Sequence, residues 1–306
     1  MKRLCVIIIN YKTPGLTLDC IQTLRGQLDW NKDHIVVVDN NSGGDDIQEL
    51  SACIAREGLA ELVTFVASPD NNGFSAGNNL GINKVDAGFY LLANADTLFR
   101  PGAINSLLEA AGKYPRAGLI SPRLEWPDGE PQISCFRFHS PVCEIIGSAG
   151  TGIITKIFKK YEVPLPLSNQ PSRPEWTSFA CVVVRKEVFD TIGLLDEGYF
   201  MYFEDVDFCR RAASAGFSIV NWPEAHVVHL RGQSSGLKKT QREKKRLPAY
   251  YYRSRARYYN KFYGKQGRLL ANSSWLAGRS ISFLRERLMG KSRTVPEHSF
   301  FDIWIQ

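Results

Sequence analysis

Between residues 4 and 121 the chain alternates short, β-branched apolar runs with amphipathic stretches. This alternation restricts the fold more than any other feature. Leu4–Ile9, Ile35–Asp39, Leu62–Ala67, Phe89–Ala93 and Ala117–Ser121 read as strands, apolar enough to be buried on both faces. Leu16–Leu28, Ile47–Glu57, Ala76–Val85 and Ala103–Lys113 read as helices, the first opened by Thr13-Pro14. Such βα repeats predict an α/β fold with a mostly parallel sheet flanked by helices, its ligands beyond the carboxyl ends of the strands. After Pro122 the rhythm changes. Gln132–Phe138, Trp176–Val184, Ser218–Asn221 and Ala225–Leu230 read as strands, Lys186–Ile192 and Glu204–Ala215 as helices, and 141–175 as an irregular or partly helical insert. Two further helices are expected near 241–263 and 273–289.

Polar residues gather where the first four strands end. The tips are Asn10-Tyr11, Asp39-Asn40-Asn41-Ser42, Asn71-Asn72-Gly73 with Gly77-Asn78, and Asn94-Ala95-Asp96. One such tip is an ordinary turn, but four in register make a crevice. Neither GxGxxG nor GxxxxGK[ST] occurs, so neither a dinucleotide fingerprint nor a P-loop is indicated. A nucleotide can still be held, with Asp39 on a base N–H and Asn and backbone groups on ribose and phosphate. Asp96, at a strand tip, suits Mg²⁺ or Mn²⁺, which take few protein ligands beside substrate phosphates.

Glu204-Asp205-Val206-Asp207 puts three carboxylates at a helix start, after the aromatic run Tyr199–Phe203. Helix capping and an Asp207–Arg211 pair explain part of this. A carboxylate beside aromatic walls also suits a general base. His226 and His229 fall on opposite faces of a strand, so at most one enters a given site.

These pieces in this order resemble the family 2 glycosyltransferases, of GT-A fold, and among them the rhamnosyltransferase-like branch. The resemblance rests on Val6–Tyr11, Val38–Ser42, Asn71–Asn79, Asn94-Ala95-Asp96, Tyr199–Arg211 and the later His229-x-x-Gly232-x-Ser234. It implies inverting transfer from a nucleotide sugar, dTDP-rhamnose favoured, to a lipid-linked, cell-surface glycan precursor. A UDP-hexose or UDP-galactofuranose donor is the near alternative, and a non-catalytic nucleotide-sugar-binding protein the alternative of another class. Asn10, Tyr11, Asp39, Asn41, Asn72, Gly73, Gly77, Asn78, Asn94 and Asp96 would form the nucleotide-sugar site. Asp96 and His229 would hold the metal. Asp205 would be the catalytic base, with Glu204 as fallback, and Trp176, Phe179 and Glu204 would face the acceptor. Two departures stand out: Asn94 replaces the first acid of the metal motif, and Phe179 stands where glycine is common.

The charge is unevenly spread. Residues 1–230 hold 20 Lys+Arg against 27 Asp+Glu, a net −7, while residues 231–306 hold 18 against 4, a net +14. The expected division is a catalytic domain over 1–235, with a nucleotide-sugar half to about 121 and an acceptor half from 122, then a basic helical extension over 236–306. Such an extension meets phosphates or an anionic membrane. Leu270, Ala277, Ile281, Leu284 and Leu288 form a helical stripe flanked by arginines, as in interfacial helices. No nucleic-acid module accompanies it, so nucleic acid is not an expected partner. The apolar run Leu4–Ile9 is too short for a secretory signal and the seven cysteines form no CxxC. A cytoplasmic chain is expected, peripheral on the inner face of the plasma membrane.

Overall fold

The computed structural model describes residues 1–232 and 237–306. The N-terminal elements run β1 (Lys2–Asn10), α1 (Pro14–Arg25), β2 (Asp33–Asp39), α2 (Gly44–Arg56), β3 (Val63–Ala67), α3 (Gly73–Ile82) and β4 (Ala87–Asn94). Then come β5 (Thr97–Phe99), α4 (Ala103–Lys113), β6 (Ala117–Glu125), β7 (Cys135–Phe136), α5 (Glu144–Ala149), α6 (Gly152–Ile157), β8 (Trp176–Thr177), β9 (Cys181–Arg185), α7 (Lys186–Ile192), α8 (Glu204–Ser214) and β10 (Ser218–His229). The extension adds α9 (Leu237–Arg242), α10 (Ala249–Met289) and α11 (Ser299–Asp302). Eight strands form one sheet in the order β3-β2-β1-β4-β9-β6-β10-β5. The first four are parallel; β9 runs antiparallel between β4 and β6.

Strand β1 explains the layering. Leu4, Val6 and Ile8 point into a core beneath α1, α2 and α4, while Cys5 and Ile7 point into a second core on the other face. All five are buried, which is why the run reads as continuously apolar. The register sets Asn10 opposite Asp39 and Ile9 opposite Asn94, so the polar tips of β1, β2 and β4 lie at one level along one edge.

Beyond Pro122 the sequence reading needs correction. Only Cys135–Phe136 of the expected strand Gln132–Phe138 pairs, and its partner is Trp176–Thr177. The expected single strand Trp176–Val184 is two strands in different sheets, broken at Ser178-Phe179-Ala180. Ser218–Asn221 and Ala225–Leu230 are one strand, β10, running through Pro223 at a register shift between Trp222 and His226. The 141–175 segment, by contrast, is partly helical as expected, with α5 and α6 between irregular stretches. In the extension, α10 is two helical stretches broken at Gly264, whose φ of +68° favours glycine.

The extension packs into the body. Tyr258, Tyr259 and Ala271 belong to the second core. Arg255 is only 3% exposed and bonds Glu144 at 3.1 Å and Asn272 at 2.8 Å. The interleaved arginines and tyrosines of 250–263 thus largely face protein.

Candidate functional site

A cavity of about 200 Å³ opens at the carboxyl edge of the sheet. Five of the expected nucleotide-sugar and metal residues line it: Tyr11 after β1, Gly73 at the start of α3, Asn94 at the end of β4, Asp96 just beyond it, and His229 at the end of β10. Phe179, Glu204 and Asp205 also line it.

Asp96 is 1% exposed, yet neither of its carboxylate oxygens accepts a hydrogen bond. His229 Nε2 stands 3.5 Å from Asp96 Oδ1, and His229 Nδ1 is likewise unpartnered. Buried polar atoms are normally satisfied. Two bare oxygens beside a bare imidazole therefore fit a hard divalent cation, whose remaining ligands come from substrate or water. No cluster of three or more His, Cys, Asp or Glu residues suited to a metal occurs among the described residues. His226, as expected, faces away; its Nδ1 lies 2.8 Å from Glu125 Oε2.

Glu204 and Asp205 open α8. Burial pushes Asp205 up to about 7, against backbone N–H bonds that pull it down, Val206 N–H foremost at 2.8 Å. Burial, with Asp205 adjacent, pushes Glu204 well above the usual carboxyl range. Glu204 is buried with Oε2 unpartnered, whereas Asp205 is half-buried at the cavity wall. Two neighbouring carboxyls with raised affinity for protons suit proton transfer near neutral pH. Asp207, the third acid, is structural. It receives Arg211 Nε at 2.8 Å and the Tyr199 hydroxyl at 3.2 Å, and pairs with Lys261 of α10 at 2.6 Å.

The turn that delivers these acids is strained. Tyr202 and Phe203 both have φ of +69°, a region non-glycine residues rarely occupy. Aromatic packing holds it: Phe203 lies 5.5 Å from the Tyr258 ring and 5.3 Å from the His139 ring. The preceding segment straps across α3, with Phe74 N–H donating to the Phe200 carbonyl at 2.7 Å. Gly73 makes this approach feasible, since a Cβ there would stand 2.0 Å from Phe200 O and its φ is +89°. Gly73→Ala is expected to lose about 1–3 kcal/mol, read from denaturant unfolding. Unchanged stability would mean the strap is not held at Gly73.

Seven expected site residues do not line the cavity. Asp39 is fully buried and its oxygens are taken by Ser42 N, Ser42 Oγ and Asn10 Nδ2, at 2.6–2.8 Å. Asn10 spends its carbonyl oxygen on Thr13 and Thr17. Asn41 and Asn72 are exposed outside it. Gly77 lies beneath Asn40, whose Oδ1 a Cβ would approach to 2.8 Å. Asn78 donates to Phe74 O at 2.9 Å. Trp176 stacks on Phe136 at 4.1 Å and donates to Arg137 O. Ser234 lies outside the described residues. Missed by the sequence reading were Asn40, Asn71, Ser178, Met201 and Tyr202, which do line the cavity. Asn40 Nδ2 donates to Gly73 O at 2.9 Å and knits two tips together. The signal was present, since Asn40 sits inside the Asp39–Ser42 tip, but nothing in the sequence says which of four adjacent polar side chains turns inward.

The family model described as glycosyl transferase family 2 matches residues 5–158. The N-acetylglucosaminyl-diphospho-decaprenol L-rhamnosyltransferase of Mycobacterium tuberculosis is 32% identical over 151 residues, 48% of each chain. The low-salt glycan biosynthesis hexosyltransferase Agl10 of Haloferax volcanii is 25% identical over 232 residues, 74% of this chain and 66% of that one. The matches thus span from about half to two-thirds of these relatives' lengths. Among solved structures, the mannosyltransferase PcManGT from Pyrobaculum calidifontis, in complex with GDP-Man and Mn²⁺, superposes with a TM-score of 0.59 at 13% identity, covering 95% of this chain and 77% of that one. GalNAc-T7 with UDP, GalNAc and Mn²⁺ gives 0.60 at 12%, covering 95% and 57%. These likenesses speak to the fold.

Proposed function

Because the chain belongs to glycosyl transferase family 2 and has the GT-A fold, we propose that it transfers a sugar from a nucleotide sugar, with inversion, to a glycan precursor. One observation carries the reading. The bare Asp96 carboxylate and His229 face the same cavity as the Glu204–Asp205 pair. A site for diphosphate and metal thereby meets a site for proton removal.

Asp205 takes the proton from an acceptor hydroxyl as that oxygen bonds to the anomeric carbon. The bond from that carbon to the diphosphate oxygen breaks, and the nucleoside diphosphate leaves with the electron pair. Asp96 and His229 would hold Mg²⁺ or Mn²⁺, which when bound offsets charge on the departing diphosphate. Glu204, holding its own proton, keeps Asp205 the single base. Tyr11, Asn40, Asn71 and Asn94 orient the donor, and the half-buried cavity wall limits water. The functional division we favour places the nucleotide sugar on 1–121 and the acceptor on 122–235, with 236–306 as the extension. Phe179, in the cavity wall, narrows the acceptor side. Asp39 supports this site through Ser42 and Asn10, and reaches a base only if that network opens.

For the donor we favour dTDP-rhamnose, and for the acceptor a polyprenyl-diphosphate-linked glycan. Support comes from the rhamnosyltransferase relative, named for an N-acetylglucosaminyl-diphospho-decaprenol acceptor. The test is mass spectrometry of products from dTDP-rhamnose, UDP-glucose and UDP-galactofuranose with a synthetic N-acetylglucosaminyl-diphospho-lipid. Rhamnose addition supports the reading; transfer from a UDP-sugar alone replaces the donor.

Asp96→Ala and His229→Ala are each expected to weaken Mn²⁺-dependent binding of the nucleoside diphosphate about tenfold or more. His226→Ala, tied to Glu125, is expected to leave it unchanged. Titration calorimetry with and without chelator reads the difference. Equal losses at both histidines would show a folding effect instead.

A further inference from the structure

Beyond Gly264, α10 has two unlike faces. The face turned to the body carries Ala271, Asn272, Trp275, Gly278 and Ser282, all buried. Gly278 sets the distance, since a Cβ there would stand 2.2 Å from Ser148 Oγ and 2.5 Å from Ile145 O of α5. The face that packs is thus small and partly polar apart from Trp275, and the leucine stripe is left outside. Leu270 is 52% exposed, Leu284 56% and Leu288 79%. Phe300 and Phe301 of α11 are also more than half exposed. Phe283, Leu284, Arg293 and Phe300 line one shallow groove, so α10 and α11 present a continuous surface.

We infer that this surface docks onto an anionic lipid membrane, with the end of α10 lying in the interface plane. Three observations select that occupant. Residues 265–306 hold seven Lys+Arg against three Asp+Glu. Two of the acids are engaged, Glu286 by Arg279 and Asp302 by Arg246. Arg287, Lys291 and Arg293 are exposed beside the stripe and pair with no carboxylate among the described residues. Leucines and aromatics flanked by cations form the interfacial pattern, in which long basic side chains reach headgroups while apolar ones enter the acyl boundary. A second copy of the chain would bring the same positive sign to the contact, which disfavours self-association there. Among the described residues no helix is long and apolar enough to cross a membrane. The inference stands on this face alone and does not depend on the sugar transferred.

The experiment is co-sedimentation of the full chain with phosphatidylglycerol-containing vesicles and with pure phosphatidylcholine vesicles, at low and high salt. Three proteins are compared: the native chain, Leu284→Glu/Leu288→Glu, and Arg287→Glu/Lys291→Glu. All four positions are exposed, so the fold is expected to stand. The native chain is expected to bind anionic vesicles at least about tenfold better than neutral ones, and to weaken as salt rises. Each double variant is expected to lose about tenfold or more. Two outcomes overturn the inference: no preference for anionic vesicles, or undiminished binding by the leucine variant. A native dimer in analytical ultracentrifugation, made monomeric by the leucine variant and indifferent to vesicles, assigns the face to a copy–copy contact instead. The nucleotide-induced thermal shift is read in the same three proteins. Its persistence in all of them separates failure here from failure of the transferase reading.

Discussion

Asp205→Asn is expected to lower sugar transfer by about 10²–10⁴-fold, the usual worth of a positioned general base, while nucleotide binding is kept. The amide matches the carboxylate in shape but takes up no proton. Because burial raises Asp205 to about 7, native activity should climb as pH rises through about 7 and level off above. The variant's residual activity should lose that step. Stability moves the opposite way. With its folded pKa above the unfolded value of 3.8, Asp205 favours the folded state most below pH 4 and loses that contribution as pH rises towards 7. The variant lacks this loss and should gain stability relative to the native chain across that window. Near-native turnover under chemistry-limited conditions would remove Asp205 as the base.

Asp207→Ala is expected to cost about 3 kcal/mol of stability. The carboxylate is fully buried and receives Arg211, Lys261 and Tyr199. Its removal leaves a phenol beside a hole and takes one carboxylate partner from each cation, with Arg211 kept only on the Ile192 and Leu194 carbonyls. The estimate sits at the low end of the range for breaking a buried pair, because Arg211 and Lys261 retain some contact with water. Lys261 comes from α10 and also pairs with Asp196 at 2.8 Å. The extension therefore braces the helix that carries Glu204 and Asp205. Chemical denaturation of native and variant chains reads the loss. Transfer per folded molecule should fall far less than in Asp205→Asn; an unaltered midpoint would show that Asp207 bears no such load.

The first half of the fold was legible because its strands are buried on both faces, and burial on both faces writes itself as an apolar run. Val36, Val37 and Val38 cannot be read otherwise, and the helices between them carry a one-sided pattern. The tips were legible as a class for the same reason: once the strands are parallel, their carboxyl ends must converge. The direction of individual side chains was not. Asp39 and Asn10 look like ligands until Ser42 is seen closing on them, and that closure depends on Asn41 at φ +59°. The region after Pro122 resisted for another reason. Cys135–Phe136 and Trp176–Thr177 are too short to carry a period, and they meet through backbone pairing, a ring stack and an indole hydrogen bond between segments about 40 residues apart. Likewise the second half of α10 was read from its leucine stripe, but the face that docks mixes Asn272, Gly278 and Ser282 with Ala271 and Trp275, a pattern with no leucine period.

We propose that one cavity holds a nucleotide sugar through a metal at Asp96. It is tested most directly by thermal unfolding of native and Asp96→Ala chains with nucleoside diphosphates and nucleotide sugars, with Mn²⁺ and with chelator. A ligand of the folded state raises the melting temperature, by an amount equivalent to about 2.7 kcal/mol at a hundredfold excess over its dissociation constant. The expected rise is selective for one nucleotide, dependent on Mn²⁺ and absent from Asp96→Ala. No rise with any nucleotide sugar in the presence of Mn²⁺, or an equal rise in Asp96→Ala, would contradict it.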